Sequence, residues 1–258
     1  MEDPKVKSLS KAMKVLECFI ADRRDLGVTQ ISQTLGIGKS SVSNIASTFR
    51  ELGYLEQDTH SGRYRLGLKL LEFSYLINEQ LGYQKLFHDI MLNLSTQFDA
   101  ITYFAICRER QVFYLCNVHP PVAAYTFPYR SIMGEKAPLH CTSVGKAMLP
   151  YLPPEELDAV LSAERAAYTQ NTITDAAALR DEIATTKARG YAIDQEEHEY
   201  GVFCIGVPVL ESDGSLIGGL SISSPNLDLA DGERTEYVRA LKSAARSMRD
   251  RIPGQLSV

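Results

Sequence analysis

Lys39, Ser40, Ser41, Ser43, Asn44 and Ser47, with Thr48, share one side of a stretch whose other side carries Val42, Ile45, Phe49 and Leu52. Short polar side chains on an apolar-backed helix can approach a nucleic acid closely. Asn44 has the donor and acceptor to bond adenine, and serines suit phosphate or base edges. A second set lies far along the chain. Ser221 and Ser223 are two apart in a strand pattern, so both hydroxyls face one side, and Cys204 falls on the strand expected beside it. A helix start at Ser143 offers free backbone amides, the ordinary receptor for a carboxylate. Both sets suit recognition by hydrogen bonding. A thiol-nucleophile reading would join Cys204 to His140 or His198 as base and Asp194 as orienting acid. Nothing in the spacing orders those four, and Cys107, Cys116 and Cys141 qualify equally, so no enzyme, cofactor or metal site is expected.

The elements that must hold the first set are legible. Leu9, Ala12, Met13, Leu16, Phe19 and Ile20 recur at three and four, predicting a first helix with that face inward. A second helix runs from Thr29, its expected N-cap and a further member of the DNA-facing set, to Leu35, where Gly36 suits a left-handed cap. The third helix then ends at Gly53. Tyr54, Leu55, Tyr64 and Leu66 predict a hairpin whose tip, Ser61 to Arg65, brings Arg63 and Arg65 to phosphate. This is a winged helix-turn-helix over residues 1–66. Residues 67–81 form an apolar helix, too greasy all round to face water, and a partner subunit is expected against it.

Beyond Gly82 the period changes. After one more helix, Tyr83 to Phe98, alternation over 100–107, 111–118, 202–210 and 216–224 predicts two antiparallel strand pairs. Helical patterns fill 143–152, 154–161 and 176–189, and a last helix covers 231–249, so residues 82–258 form an α+β layer.

Charge supports the division. The chain carries a net charge of −5, yet residues 1–66 hold ten lysines and arginines against eight acids while the rest holds 17 against 24. The basic excess sits where nucleic acid would be met. Five widely spaced cysteines without a CxxC pair argue for reduced thiols. The acidic start and Glu17 inside the first apolar run argue against a secretory signal, and no apolar run approaches the ~20 residues of a membrane span, so a cytoplasmic protein is expected.

Leu9-Ser-Lys-Ala-Met-Lys-Val-Leu-Glu17, Gly53-Tyr-Leu-Glu56 with Gly62-Arg-Tyr-Arg-Leu-Gly-Leu-Lys-Leu70, His140-Cys-Thr-Ser-Val-Gly-Lys-Ala147, Arg189-Gly-Tyr-Ala-Ile-Asp-Gln-Glu-Glu197 and Ser221-Ile-Ser-Ser-Pro225, in this order, resemble the IclR family of bacterial transcriptional regulators over essentially the whole length. The resemblance implies a winged helix, a linker helix and a GAF- or profilin-like effector-binding and oligomerisation domain with an antiparallel sheet. It implies double-stranded operator DNA, a small organic acid or aromatic compound, and a homodimer or dimer of dimers as partners, and no membrane. The effector residues it implies are Ser143, Val144, Asp194, Cys204, Ser221 and Ser223, with Leu139 and the aromatics Phe127 and Tyr129 beside them. The chain departs from the family pattern at Ser43-Asn44, where a larger or basic side chain is common, and at Ser143-Val144, where smaller ones are.

Overall fold

A computed structural model describes residues 4–22, 24–121 and 132–252. It divides the chain into two compact units, Met1–Leu81 and Gly82–Val258.

In the first unit, α1 (Lys7–Asp22), α2 (Val28–Leu35) and α3 (Lys39–Glu51) are followed by the hairpin β1 (Leu55–Gln57) and β2 (Tyr64–Leu66), then α4 (Lys69–Leu81). Val15, Ile31, Val42, Ala46, Leu55 and Tyr64 make a buried centre. The inward face of α1 differs from the one the spacing suggests: Val15, Leu16, Cys18 and Phe19 are buried, while Leu9, Met13 and Ile20 are exposed. Two three-and-four patterns overlap on this helix, and contact with α2 and α3 selects the one through Val15. Thr29 is not the cap of α2. Gly27 is, its N–H donating to Gln30 Oε1 at 3.0 Å, and Thr29 lies exposed in the first turn. Gly36 does end the helix in the left-handed region, at φ 64°. Leu52 and Leu66, read as inward anchors, are exposed, because α3 and β2 each end as they reach them. On α4, Leu71, Phe73, Tyr75, Leu76 and Ile77 are all between 47% and 63% exposed, and no residue of that helix is buried.

The second unit is an antiparallel six-stranded sheet in the order β5-β4-β3-β8-β7-β6. Its strands are β3 (Ile101–Arg108), β4 (Gln111–Val118), β5 (Lys136–Ala137), β6 (Ala192–Gln195), β7 (Phe203–Leu210) and β8 (Leu216–Ser224). α5 (Tyr83–Phe98) and α9 (Asp231–Arg249) pack on strands β3, β4, β7 and β8, while α6 (Ser143–Met148), α7 (Pro154–Ser162) and α8 (Ala176–Arg189) form a further layer with its own core around Val144, Met148 and Leu179. The expected α+β layer with an antiparallel sheet is therefore present. The two edge strands β5 and β6 escape the alternation search because they are two and four residues long. The helix expected over 143–152 stops at Met148 and tightens into a 3₁₀ turn at Leu149–Tyr151, where Pro150 withholds an N–H. In α9, Tyr237 is buried and Val238 only partly so.

Candidate functional site

The first candidate surface is the turn between α2 and α3 with the face of α3 beyond it. Ser32 Oγ donates to the Ile37 carbonyl at 2.5 Å and the Ile37 N–H to the Ser32 carbonyl at 3.1 Å, clamping the turn from both sides. Val42 and Ala46 are buried and pin one side of α3. That leaves Lys39, Ser40, Ser43 and Asn44 exposed, with Ser41 and Ser47 half-buried. Thr48 Oγ1 donates to the Asn44 carbonyl at 2.9 Å, so that hydroxyl is spent on the helix. The wing is tied back: Arg63 Nη1 donates to the Asp25 carbonyl at 3.1 Å and Arg65 pairs with Glu56 Oε2 at 2.9 Å. Both contacts are solvent-exposed and screened, so they hold the arginines only weakly. Asp58 accepts the Ser61 N–H at 2.6 Å and the His60 N–H at 3.1 Å, bonds that hold its carboxyl below the usual range and shape the tip. Sequence reasoning missed Arg50, whose guanidinium bonds Gln57 Oε1 at 2.9 Å and so bridges the end of α3 to the wing. Its position in the last turn of a polar helix face was the available signal.

The second candidate site is a cavity of about 570 Å³ in the sheet unit. Register explains its lining. Asp194 pairs with Cys204, Cys204 with Ser223 and Ser223 with Ile101, one row across four strands; Gly206, Ser221 and Tyr103 form another. Ser143 and Val144 come from the first turn of α6, which lies directly on the sheet. A Cβ on Gly206 would sit 2.5 Å from the Ser143 carbonyl oxygen, so glycine is what allows that approach. Tyr103 and Tyr114, ring centroids 5.6 Å apart, supply an aromatic wall. Tyr114 reaches it through a register irregularity at Phe104/Ala105, which skips Leu115 and puts Tyr114 on the cavity side and Cys116 against Met91 of α5.

All six of the principal effector candidates, Ser143, Val144, Asp194, Cys204, Ser221 and Ser223, thus line one cavity. Leu139 does not: it is buried in the core with Val144 and Met148. Phe127 and Tyr129 lie outside the described residues. Thr142, His198, Glu199 and Ser224 line the cavity without having been singled out for it. The helix start is a weaker anion receptor than the sequence suggests, since α6 has six residues and Thr142 Oγ1 already accepts the Gly145 N–H at 3.2 Å. Cys204 Sγ donates to Ser223 Oγ at 3.1 Å, and burial pushes the thiol well above its ordinary value, so it is a hydrogen-bonding wall and not a thiolate. Burial also depresses His198.

Behind Asp194 lies a buried ionic cluster. Lys146, 2% exposed, pairs with Glu197 Oε1 and stands 3.6 Å from Glu182, which holds Arg189 at 2.8 Å. The Glu197 N–H donates to Asp194 Oδ1 at 2.8 Å, and its carbonyl accepts from Thr172 Oγ1 at 2.6 Å. The pocket-lining loop is therefore anchored through Glu197 to Lys146 of α6, which also faces Glu182 of α8. Among the described residues, no group of three or more histidine, cysteine and acidic side chains is placed to hold a metal.

A helix-turn-helix with a wing, joined to an α+β unit holding a cavity of ligand size, defines a DNA-binding regulator with an effector domain. The chain belongs to the IclR family of bacterial transcriptional regulators: the IclR helix-turn-helix domain matches residues 8–59 and the IclR C-terminal domain residues 78–249. It is a regulator, not an enzyme. Among similar proteins, the transcriptional regulator KdgR of Dickeya chrysanthemi is 31% identical over 96% of this chain and 80% of its own. A solved IclR-type regulator of Silicibacter sp. TM1040 superposes with a TM-score of 0.82 at 26% identity, covering 97% of this chain and 100% of that one. An IclR homologue of Microbacterium hydrocarbonoxydans, solved with 4-hydroxybenzoate, shares the fold at a TM-score of 0.80 and 24% identity, over 95% and 98% of the two chains.

Proposed function

We propose that the cavity binds a small organic acid or aromatic compound, and that this ligand changes how the winged helices hold operator DNA. The observation that carries the reading is the convergence of four serines, Cys204, Asp194 and two tyrosines on one cavity of about 570 Å³, within the ~300–1,000 Å³ of small-molecule sites. Hydroxyl donors with an aromatic wall suit a ring bearing a carboxylate or hydroxyl. The Microbacterium protein's 4-hydroxybenzoate is a ligand of that description.

DNA binding in the cytoplasm by a homodimer or dimer of dimers completes the proposal. The exposed apolar side chains of α4 gain burial when a second copy covers them. Two winged helices held ~34 Å apart, or a multiple of it, meet successive turns of one face of DNA. Effector that prefers one arrangement of the subunits shifts the population toward it, and coupling of ~1–3 kcal/mol gives an observable response.

Thermal shift of the purified protein against aromatic and aliphatic carboxylates tests the cavity. A ligand at 100 times its Kd adds ~2.7 kcal/mol of stability, and a Ser221→Phe variant is expected to lose that shift while still binding operator DNA. A normal response in Ser221→Phe would misplace the pocket. For the other surface, Asn44→Ala is expected to lose ~1–3 kcal/mol of discrimination at one base pair and to bind effector as before. Equal discrimination by both proteins in a competition gel shift would remove Asn44 from base reading.

A further inference from the structure

We propose that Asp194 makes effector recognition proton-linked: a carboxylate ligand entering this cavity is bound together with one proton, shared between its carboxylate and the Asp194 carboxyl. The inference rests on the acid-effector reading above and adds the charge state in which the acid is taken.

Asp194 is 3% exposed and lines the cavity beside Cys204. Its carboxyl accepts the Glu197 N–H at 2.8 Å, with a lesser contribution from the His198 N–H, and the Cys204 thiol is within hydrogen-bonding reach. The charged and titratable groups around it are Glu197 and His198, just past the end of its own strand β6, Lys146 from α6, Cys141 ahead of α6, Cys204 from β7 and Tyr114 from β4. None is a cation available to a ligand. Lys146 is spent on Glu197 and Glu182, and burial keeps His198 toward its neutral form. The cysteines and Tyr114 are pushed up by burial and stay protonated. Elsewhere the described lining carries Glu135, Glu199, His119, whose ring nitrogen meets the Asn117 amide at 3.0 Å, and one lysine, Lys136, which pairs with Glu109 at 2.5 Å.

A carboxylate brought to Asp194 would therefore set two anions side by side in a desolvated site, an arrangement that one shared proton resolves. Burial, the largest cause, already raises the Asp194 carboxyl to about 7. The balance is simple: ligand carboxylate, Asp194 carboxylate and one proton from buffer give a hydrogen-bonded acid–carboxylate pair, with no bond to carbon made or broken. Below pH 7 the proton is already on Asp194, and above it the proton must be taken up with the ligand.

The test is calorimetric titration of the full-length protein with benzoate, 4-hydroxybenzoate and lactate, each beside its neutral amide, in buffers of differing ionisation enthalpy between pH 6 and 8.5. Uptake of about one proton per acid is expected at pH 8.5 and close to none at pH 6. The Kd of the acid should rise about tenfold per pH unit above 7, and that of the amide should not. Asp194→Asn should abolish both the uptake and the pH dependence. An acid that binds with no proton uptake and a level pH profile overturns the shared proton while leaving the acid-effector reading standing. Tight binding of the amides alone, or of no probe at all, removes that reading and the proton linkage with it.

Discussion

Lys146→Met is expected to destabilise the second unit by ~3–5 kcal/mol, the cost of leaving a buried charge without its partner. Lys146 is the hub: at 2% exposure it faces Glu197, whose side chain is 9% exposed, and Glu182. Glu197 Oε2 has no hydrogen-bond partner, so the ammonium is what compensates that carboxylate. Burial pushes the Glu197 carboxyl up and Lys146 is the chief influence pulling it down. Without the lysine the carboxyl rises further and takes a proton. The sign follows: the loss is largest at high pH, where that proton is hardest to keep, and shrinks as pH falls. Methionine fills the stem volume, which separates the charge effect from a cavity effect. Urea unfolding at pH 6 and 8 checks this, with Lys146→Met/Glu197→Gln as the partner variant. The double variant should recover much of the loss; if it is no better than Lys146→Met alone, the cluster is not electrostatic in origin. Glu197 holds Asp194 at the end of β6 and is followed directly by His198, so the same substitution is expected to weaken effector binding as well.

Asp194→Asn should stabilise the free protein at neutral and alkaline pH. Burial raises the Asp194 carboxyl from 3.8 to about 7, against the smaller lowering by the Glu197 N–H and by Lys146. In the unfolded chain it ionises near 3.8. Between those values the folded state binds the extra proton, so stability is full below about pH 4, falls as pH rises, and is level above about 7. The whole interval corresponds to roughly 4 kcal/mol at 1.36 kcal/mol per pH unit. Asparagine keeps an acceptor for the Glu197 N–H and has no charge to desolvate. Its advantage over the native residue should therefore grow from pH 5 to 7 and hold constant beyond. An advantage that does not change across that range would mean Asp194 ionises at its ordinary value in the fold.

Much of the architecture was open to reading because it depends on periods within single segments. Val42, Ile45 and Phe49 at helical spacing place Asn44 and Ser43 on the outer face whatever the helix packs against. Ser221 and Ser223 share a face because strands alternate, and Gly36 marks a helix end because few other residues take φ 64° easily. The six residues that meet in the cavity were reached largely through family motifs, which carry tertiary information in disguise. What only the tertiary structure decided lies between elements. Two apolar stripes compete on α1, and the packing of α2 and α3 chose Val15 over Met13. A register irregularity between β3 and β4 turned Tyr114 toward the cavity, which no alternation rule over 111–118 could show. Leu139, next to pocket residues in sequence, went into the core. The pairing of Lys146 with Glu197, 51 positions apart, was equally hidden. A charged side chain looks the same in sequence whether solvent or another buried charge neutralises it, and the difference is set by which segments the fold stacks together.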